Sequence, residues 1–155
     1  MTGVRVMFVD TYVLRPVRDG FEVLALRRGR GGRCPGSWET VHGTIESDET
    51  PVDASLREMR EETGLAPERL YNVSRVEGFY QHKTDEVALI PAFAAFVGAG
   101  ATPRLSNEHD DFAWLPLAVA APRFAWPREH RAIADILSIL AGGDGGLLDD
   151  VLRVC

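Results

Sequence analysis

Cysteine is scarce in this chain of 155 residues, which contains only Cys34 and Cys155. Because they lie far apart and form no CxxC pair, the sequence indicates neither a zinc site nor a disulfide framework, and a reducing compartment fits best. Apolar runs of the roughly 18 residues needed to span a bilayer are also absent. The apolar start of the chain is short and interrupted by charge, unlike a signal peptide. We therefore expect a cytoplasmic protein without a membrane partner.

Basic residues are in deficit, since the formal net charge is -6. A protein that binds nucleic-acid backbones usually presents a basic face, so we expect no nucleic acid polymer as a partner. An acidic protein can still bind a phosphorylated small molecule when cations neutralise the site. With 45% hydrophobic and 26% charged residues, the composition is that of one ordinary domain with a full core.

Strand and helix signals alternate along the chain. Runs rich in β-forming residues predict strands over residues 4–9, 22–26, 38–41, 70–79, 86–97 and 111–117. Pro16 and Gly20 mark a turn between the first two strands. The largely apolar run 86–97 predicts a strand at the centre of a sheet. Together with two helices, these elements predict an α/β fold.

The clearer helix signal begins at Thr50. Thr50 can act as the N-cap, Pro51 suits the first helical position, and Asp53 stands where a capping box needs an acceptor. Gly64 is predicted to end the helix. An apolar stripe at helical spacing would face the core and comprises Val52, Leu56 and Met59.

A second helix is predicted to begin at Pro127 and to stop at Gly142. Its apolar stripe comprises Ile133, Ile136, Leu137 and Leu140. Residues 1–141 would form the domain, and residues 142–155 a glycine-rich hinge with a short amphipathic tail. The tail either docks on its own body or joins a homodimer interface, and we expect docking.

Three carboxylates share one face of the first helix. Glu58, Glu61 and Glu62 lie three and four residues apart, and like charges at this spacing cost about 0.2–0.5 kcal/mol per pair. One interpretation is a solvated acidic face, balanced by Arg57 and Arg60. The other is a site for Mg²⁺ or Mn²⁺, because hard cations take oxygen ligands and a rigid helix can aim several carboxylates at one point. Helix geometry alone does not decide between them.

The spacing over residues 43–65, GTIESDETPVDASLREMREETGL, is more specific. Seven charged or glycine positions are fixed, Gly43, Glu49, Arg57, Glu58, Glu61, Glu62 and Gly64, with apolar residues at Met59 and Leu65. Ordinary residue frequencies would produce such a pattern about once in 10⁸ starting points. The pattern resembles the Nudix box of the MutT-like hydrolases at every defining position.

This resemblance implies a fold and a set of roles. The fold would be a mixed β-sheet sandwiched between α-helices. The metal ligands would be the Gly43 carbonyl, Glu58, Glu61 and Glu62. Glu49 would pair with Arg57 and hold the helix in place, and Arg57, Glu61 and Glu108 would form the catalytic set. The cofactor would be Mg²⁺ or Mn²⁺, and the reaction hydrolysis of a pyrophosphate linkage.

The base that activates the attacking water has two candidates, Glu61 and Glu108. Asn107, Glu108 and His109, followed by WLP, resemble the segment in which several family members carry an additional acidic residue. Glu108 would bind a cation or accept the proton. The alternative is that Glu108 is only an exposed loop residue.

Substrate-binding candidates lie before the box. Arg27 or Arg28, which end a strand, would grip a substrate phosphate as a bidentate clamp. Trp38 would stack on a base or pterin ring or belong to the core, and we weigh the two equally. His42 stands where many family members have glycine, which leaves the loop shape open. Four residues are assigned only packing or solvent exposure, Cys34, His82, Lys83 and Trp126.

The expected substrate is a (deoxy)nucleoside or pterin triphosphate, cleaved to a monophosphate and pyrophosphate. The stretches WETVHGTIESDET and EHDDFAWLP look most like the branch that acts on dihydroneopterin triphosphate and dATP. Dinucleoside polyphosphates and nucleotide sugars are the alternatives, because the box leaves the second moiety open. A non-catalytic, nucleotide-sensing Nudix domain is a different class, and the complete box disfavours it.

Overall fold

An eight-stranded mixed sheet runs through the computed structural model, which describes all residues 1–155. The strands are β1 (Gly3–Val6), β2 (Phe8–Val17), β3 (Gly20–Arg28), β4 (Trp38–Glu39), β5 (Val41–Thr44), β6 (Arg69–Gln81), β7 (Glu86–Phe96) and β8 (His109–Pro116). The helices are α1 (Pro51–Thr63), α2 (Leu117–Arg123), α3 (Pro127–Leu140) and α4 (Asp149–Leu152), with a 3-10 turn at Gly146–Leu148. None of these helices has the length and apolar character to cross a membrane.

Strand β7 lies at the centre of the sheet. It pairs in parallel with β1 and β2 along one edge and antiparallel with β6 along the other. Strand β2 also pairs antiparallel with β3 and β5, and β3 pairs antiparallel with β4 and β8. Because β7 is covered on both faces, its largely apolar sequence is explained, and its predicted central place is confirmed.

Helices cover both faces of the sheet, which confirms the predicted α/β sandwich. Side chains alternate along β3, so Val23 and Ala25 pack in the core under α2 and α3, whereas Leu24 and Leu26 pack in the core under α1. The same alternation directs the last two residues of β3, both arginines, to opposite faces. This separation decides which of them can reach the functional site.

The caps of α1 are confirmed. The Thr50 hydroxyl accepts a hydrogen bond from the Asp53 amide at 3.2 Å, and the Asp53 carboxylate accepts one from the Thr50 amide at 3.3 Å. Gly64 ends the helix with a φ of 70°, a left-handed conformation that favours glycine. Met59 is fully buried, so the predicted apolar stripe faces the core.

Several predicted boundaries were wrong. The strand predicted over 4–9 is two strands, because β1 ends at Val6 and β2 begins at Phe8. Pro16 lies within β2 rather than in the turn, at the exposed end of the hairpin where strand pairing tolerates proline. The strand predicted over 38–41 is broken at Thr40. Helix α2 was not predicted, since its sequence LAVAAPR lacks a side-chain cap and a polar periodicity.

The tail packs on its own chain. The Val154 amide donates to the Leu70 carbonyl at 2.8 Å, and the Leu70 amide donates to the Cys155 carbonyl at 3.1 Å. The Tyr71 hydroxyl donates to the Asp149 carboxylate at 2.6 Å. Leu152 is buried in the core under α3. The edge of β6 at this end is therefore covered by the chain's own C-terminal segment.

Buried Glu129 fixes the start of α3 against the break between β4 and β5. One carboxylate oxygen accepts from the Thr40 amide at 2.6 Å and the other from the Trp126 amide at 3.1 Å. A glutamine side chain has only one acceptor oxygen, so Glu129→Gln should leave one buried amide unpaired and cost about 1–3 kcal/mol. We expect a lower Tm by circular dichroism. Arg131→Gln on the exposed side of α3 is the control, and an unchanged Tm in Glu129→Gln would contradict this account.

Candidate functional site

A cleft of about 870 Å³ opens beside β5 and is lined by 18 residues. Charged residues of the box region and of β3 line one part, and aromatic residues of β2, β6 and the start of α3 line another. A second cavity of about 330 Å³, between the β2–β3 hairpin and α3, is mostly apolar. Only the larger cleft combines charged groups with a surface for a flat apolar moiety.

Gly43 on β5 and Glu58 on α1 lie in close contact. A Cβ atom on Gly43 would stand 1.9 Å from Glu58 Cδ, so only glycine lets this carboxylate lie against the strand. Partial burial raises the pKa of Glu58, even though the Arg57 guanidinium donates to its carboxylate at 2.7 Å. Gly43 therefore makes room for the Glu58 carboxylate inside the cleft.

Glu62 is the most buried of the three helix carboxylates, at 3% exposure. Its Oε2 atom is buried without a hydrogen-bond partner. Burial, with the charges of Glu39, Glu58 and Glu108, raises its pKa well above the ordinary range. A buried, unpaired carboxylate surrounded by like charge is costly and normally has a compensating partner.

Arg57 links the box loop to α1. Its Nε and Nη2 atoms donate to the two oxygens of Glu49 at 2.8 and 2.9 Å, and Nη2 also donates to the Thr44 carbonyl at 2.8 Å. The hydrogen bonds from Arg57 lower the pKa of Glu49 to about 2. This bidentate pair is the arrangement that the box resemblance implies, and it fixes the helix relative to β5.

Glu61 and Glu108 occupy different surroundings. Glu61 is 58% exposed, accepts a hydrogen bond from Arg57 at 3.2 Å and does not line the cleft. Glu108 lines the cleft, makes no side-chain hydrogen bond, and contributes to the raised pKa of both Glu58 and Glu62. The structure thus brings Glu108 toward the buried carboxylates and leaves Glu61 on the solvent side of α1.

Arg28 lies in the cleft, whereas Arg27 does not. Arg28 donates to the Glu39 carboxylate at 2.8 Å and to the Arg33 carbonyl at 2.6 Å. Arg27 emerges on the other face and donates to Asp110 at 2.7 Å.

Trp38 shares the face of Arg27. It packs against the core under α2 and α3, with the Arg123 guanidinium 5.0 Å from its ring centroid. Arg27 and Trp38 therefore lie outside the cleft, because side-chain alternation turns both away from it. Of the two arginines only Arg28 can act as the phosphate clamp, and Trp38 takes the core position rather than the stacking position that was weighed equally with it.

Several cleft residues were not expected. Cys34, His82, Lys83 and Trp126 all line it, although the sequence assigned them only packing or exposure. Buried Glu39 also lines it, and His109 Nε2 lies 3.0 Å from its Oε1 atom.

Asp10 was also missed. It is 2% exposed within the apolar β2, 2.7 Å from His42 Nδ1, and it accepts from Arg128 Nε at 2.7 Å. A charged residue inside an apolar strand signals a buried partner, and this signal could have revealed the cluster. The His42 side chain is directed toward Asp10, so it does not occupy the space that Gly43 leaves for Glu58.

The donor set suits a hard cation. Glu58, Glu62 and Glu108 offer only oxygen atoms, and Glu62 has one oxygen unpaired. No three His, Cys, Asp or Glu side chains are placed so that they could hold a metal ion as they stand, and Arg57 donates hydrogen bonds to both Glu58 and Glu61. The residues thus fit a divalent cation whose binding would require carboxylate rotation.

Comparison with known proteins identifies the family to which the chain belongs. The family profile for the NUDIX domain matches residues 8–136. The chain belongs to the Nudix family. The matched region includes the complete box and every residue that lines the cleft.

A MutT-like relative and the solved structures agree with this assignment. A MutT-like protein of Streptomyces ambofaciens is 31% identical over 109 residues, which cover 70% of this chain and 64% of that protein. An octanoyltransferase of Myxococcus xanthus is 33% identical over 108 residues, covering 65% of this chain and 28% of that protein. The chain therefore spans less than two thirds of the length of these relatives.

Two solved structures show the same fold. A C. elegans Ap4A hydrolase binary complex superposes with a TM-score of 0.72 at 20% identity, covering 87% of this chain and 97% of that chain. The E. coli dihydroneopterin triphosphate pyrophosphohydrolase superposes with a TM-score of 0.68 at 22% identity, covering 84% of this chain and 94% of that chain. At these identities the likeness establishes the Nudix fold and leaves the substrate open.

Proposed function

We propose that this protein is a divalent-cation-dependent hydrolase that cleaves the pyrophosphate linkage of a nucleoside diphosphate derivative. Its substrate is a (deoxy)nucleoside or pterin triphosphate, which it converts to a monophosphate and pyrophosphate. The observation that carries the proposal is the unpaired oxygen of buried Glu62. The charges of Glu58 and Glu108 act on this carboxyl group, and both of those residues line a cleft that also has an aromatic wall. Enzymes of the Nudix family generally use divalent metal ions, and Mg²⁺ or Mn²⁺ suits these oxygen donors.

Glu58, Glu62 and the Gly43 carbonyl would hold the cation, with Glu108 beside them as the proton acceptor. When bound, the cation supplies charge neutralisation for the diphosphate and makes the attacking water more acidic. Glu61 accepts a hydrogen bond from Arg57 on the outer side of the helix and so helps to hold the Arg57 side chain in place. This division follows the observed exposure, since Glu62 is buried and Glu61 is exposed.

The chain's own groups perform the remaining tasks. Arg28, held by Glu39, supplies fixed positive charge to the phosphates, and an arginine fixed in place loses little entropy on binding. Glu108 accepts the proton of the attacking water, because its carboxylate faces the cleft and is free of hydrogen bonds. Phe79 and Trp126 give the substrate ring an apolar surface.

A substrate panel tests the proposal. The purified protein is incubated with dGTP, dATP, dihydroneopterin triphosphate, Ap4A and ADP-ribose, with Mg²⁺ or Mn²⁺, and products are separated by ion-exchange chromatography. We expect pyrophosphate and a monophosphate from at least one triphosphate, and only when a divalent cation is present. Preferred cleavage of Ap4A or ADP-ribose would replace the triphosphate assignment with a dinucleotide or nucleotide-sugar substrate. Turnover that survives chelation, or no turnover of any compound, would contradict the proposed enzyme.

Binding of the cation should also be visible without turnover. A ligand that binds only the folded state raises stability by mass action, by about 2.7 kcal/mol at a hundredfold excess over its Kd. We therefore expect Mg²⁺ or Mn²⁺ to raise the Tm of the substrate-free protein. A Tm that does not respond to either cation would argue against a metal site at these carboxylates.

A further inference from the structure

Aromatic side chains from three separate elements line one part of the cleft. They are Phe8 on β2, Phe79 on β6 and Trp126 before α3. Phe79 and Trp126 meet edge to face with ring centroids 6.4 Å apart, and Phe79 is 44% exposed. Exposed aromatic surface inside a cleft suits a flat ring, which can be covered by stacking or edge contacts.

Arg128 brings a positively charged side chain to the aromatic part of the cleft. Its Nε and Nη2 atoms donate to the two oxygens of Asp10 at 2.7 and 3.2 Å, and its Cζ atom lies 5.1 Å from the Trp126 ring centroid. The Nη1 atom makes no hydrogen bond to the protein, and the side chain lines the cleft. The guanidinium is thus held at one edge by a buried carboxylate, with donors available beside the aromatic surface.

The partner of Arg128 stays charged. Burial alone would raise the pKa of Asp10, but the hydrogen bond from His42 and the charges of His42 and Arg128 keep it below the usual range. Glu129 follows Arg128 on α3 and is committed to the Thr40 and Trp126 amides. No acidic group other than Asp10 hydrogen-bonds the Arg128 guanidinium, so the Nη1 donors remain available to a ligand.

An arginine side chain donates hydrogen bonds and accepts none. Guanine presents two adjacent acceptors at one edge, O6 and N7, whereas adenine presents N7 beside an amino group that donates. A pterin ring likewise presents an oxo oxygen beside a ring nitrogen. We propose that Arg128 is a specificity-determining residue that selects rings with this pair of acceptors, guanine or pterin, over adenine. This inference rests on the proposed function and names the substrate class for the same cleft.

Competition between two triphosphates tests the inference. The protein hydrolyses an equimolar mixture of dGTP and dATP, and the ratio of the two monophosphates gives the ratio of kcat/KM. We expect the native protein to favour dGTP by about tenfold or more, as one good arginine–guanine contact provides. Arg128→Lys retains the positive charge near Asp10 but lacks the planar guanidinium that bonds Asp10 at one edge and holds Nη1 toward the ring, so the ratio should fall close to one.

The control is Arg131→Lys, three residues along α3. Arg131 pairs with Glu77 at 2.8 Å outside the cleft, so its replacement should leave the ratio unchanged. Because both substrates compete in one sample, the ratio does not depend on how much of a variant is folded. A native protein without preference for dGTP, or an Arg128→Lys variant that keeps the native ratio, would overturn the inference.

A failure of the proposed function can be distinguished from a failure of this inference. If the native protein hydrolyses no triphosphate, binding of GMP and AMP is measured by quenching of tryptophan fluorescence. We expect tighter binding of GMP that is lost in Arg128→Lys and kept in Arg131→Lys. Equal binding of the two monophosphates by the native protein would reject the role of Arg128, whether or not the protein is an enzyme.

Discussion

Glu62→Gln should lower kcat about a thousandfold, because a cation at this site would supply several kcal/mol of transition-state charge stabilisation. An amide of the same shape packs alike but binds a hard cation poorly. Glu62 is buried with its Oε2 atom unpaired, so this oxygen has no other evident partner. The variant should also lose most of the rise in Tm that Mg²⁺ gives the native protein.

The same change separates a metal ligand from a structural residue. Burial and like charges already disfavour the ionised form of Glu62, so a neutral amide should leave the metal-free variant at least as stable as the native protein. The matched control is Glu68→Gln, which makes the same chemical change at an exposed position outside the cleft. We therefore expect a large loss of rate with no loss of metal-free Tm. Native turnover in a folded Glu62→Gln variant would remove Glu62 from the metal site.

Local signals in the sequence predicted the box helix well. Its N-cap and first proline adjoin its start and its glycine adjoins its end, and each favours its observed conformation without tertiary help. The same is true of the central strand, whose continuous apolar run requires cover on both faces. Helical spacing placed Glu58, Glu61 and Glu62 on one face, but spacing alone could not show that Glu62 is buried and Glu61 exposed.

The rest of the cleft depends on contacts between distant segments. Asp10 and Arg128 are 118 residues apart and Glu39 and His109 are 70 apart, so no local pattern joins them. Arg27 and Arg28 are neighbours at the end of one predicted strand, so the sequence does not show which of them enters the cleft. That depends on which face of β3 packs under α1. Trp126 precedes a helix and was assigned only packing or solvent exposure, because its place beside Phe79 follows from the docking of α3 on β6.

Glu108→Gln should lower kcat about 10² to 10⁴ fold and change KM little, as expected for the loss of a general base. Glu108 lies on the chain just before β8, lines the cleft and makes no side-chain hydrogen bond. Its negative charge acts on both Glu58 and Glu62, which places it beside the carboxylates that would hold the cation. Glu61 lacks this position, since it is exposed and bound to Arg57.

The decisive measurement is the Mn²⁺ dependence of kcat in this variant. A missing base is not replaced by more cation, so kcat should stay low at saturating Mn²⁺, whereas a missing ligand should be largely compensated. Asp110→Asn is the matched control, because Asp110 is two residues away but pairs with Arg27 on the other face. Its kcat should be close to native. If Mn²⁺ restores the rate of Glu108→Gln, Glu108 is a ligand of the cation, and the proton acceptor must be sought elsewhere, with Glu61→Gln as the next variant to measure.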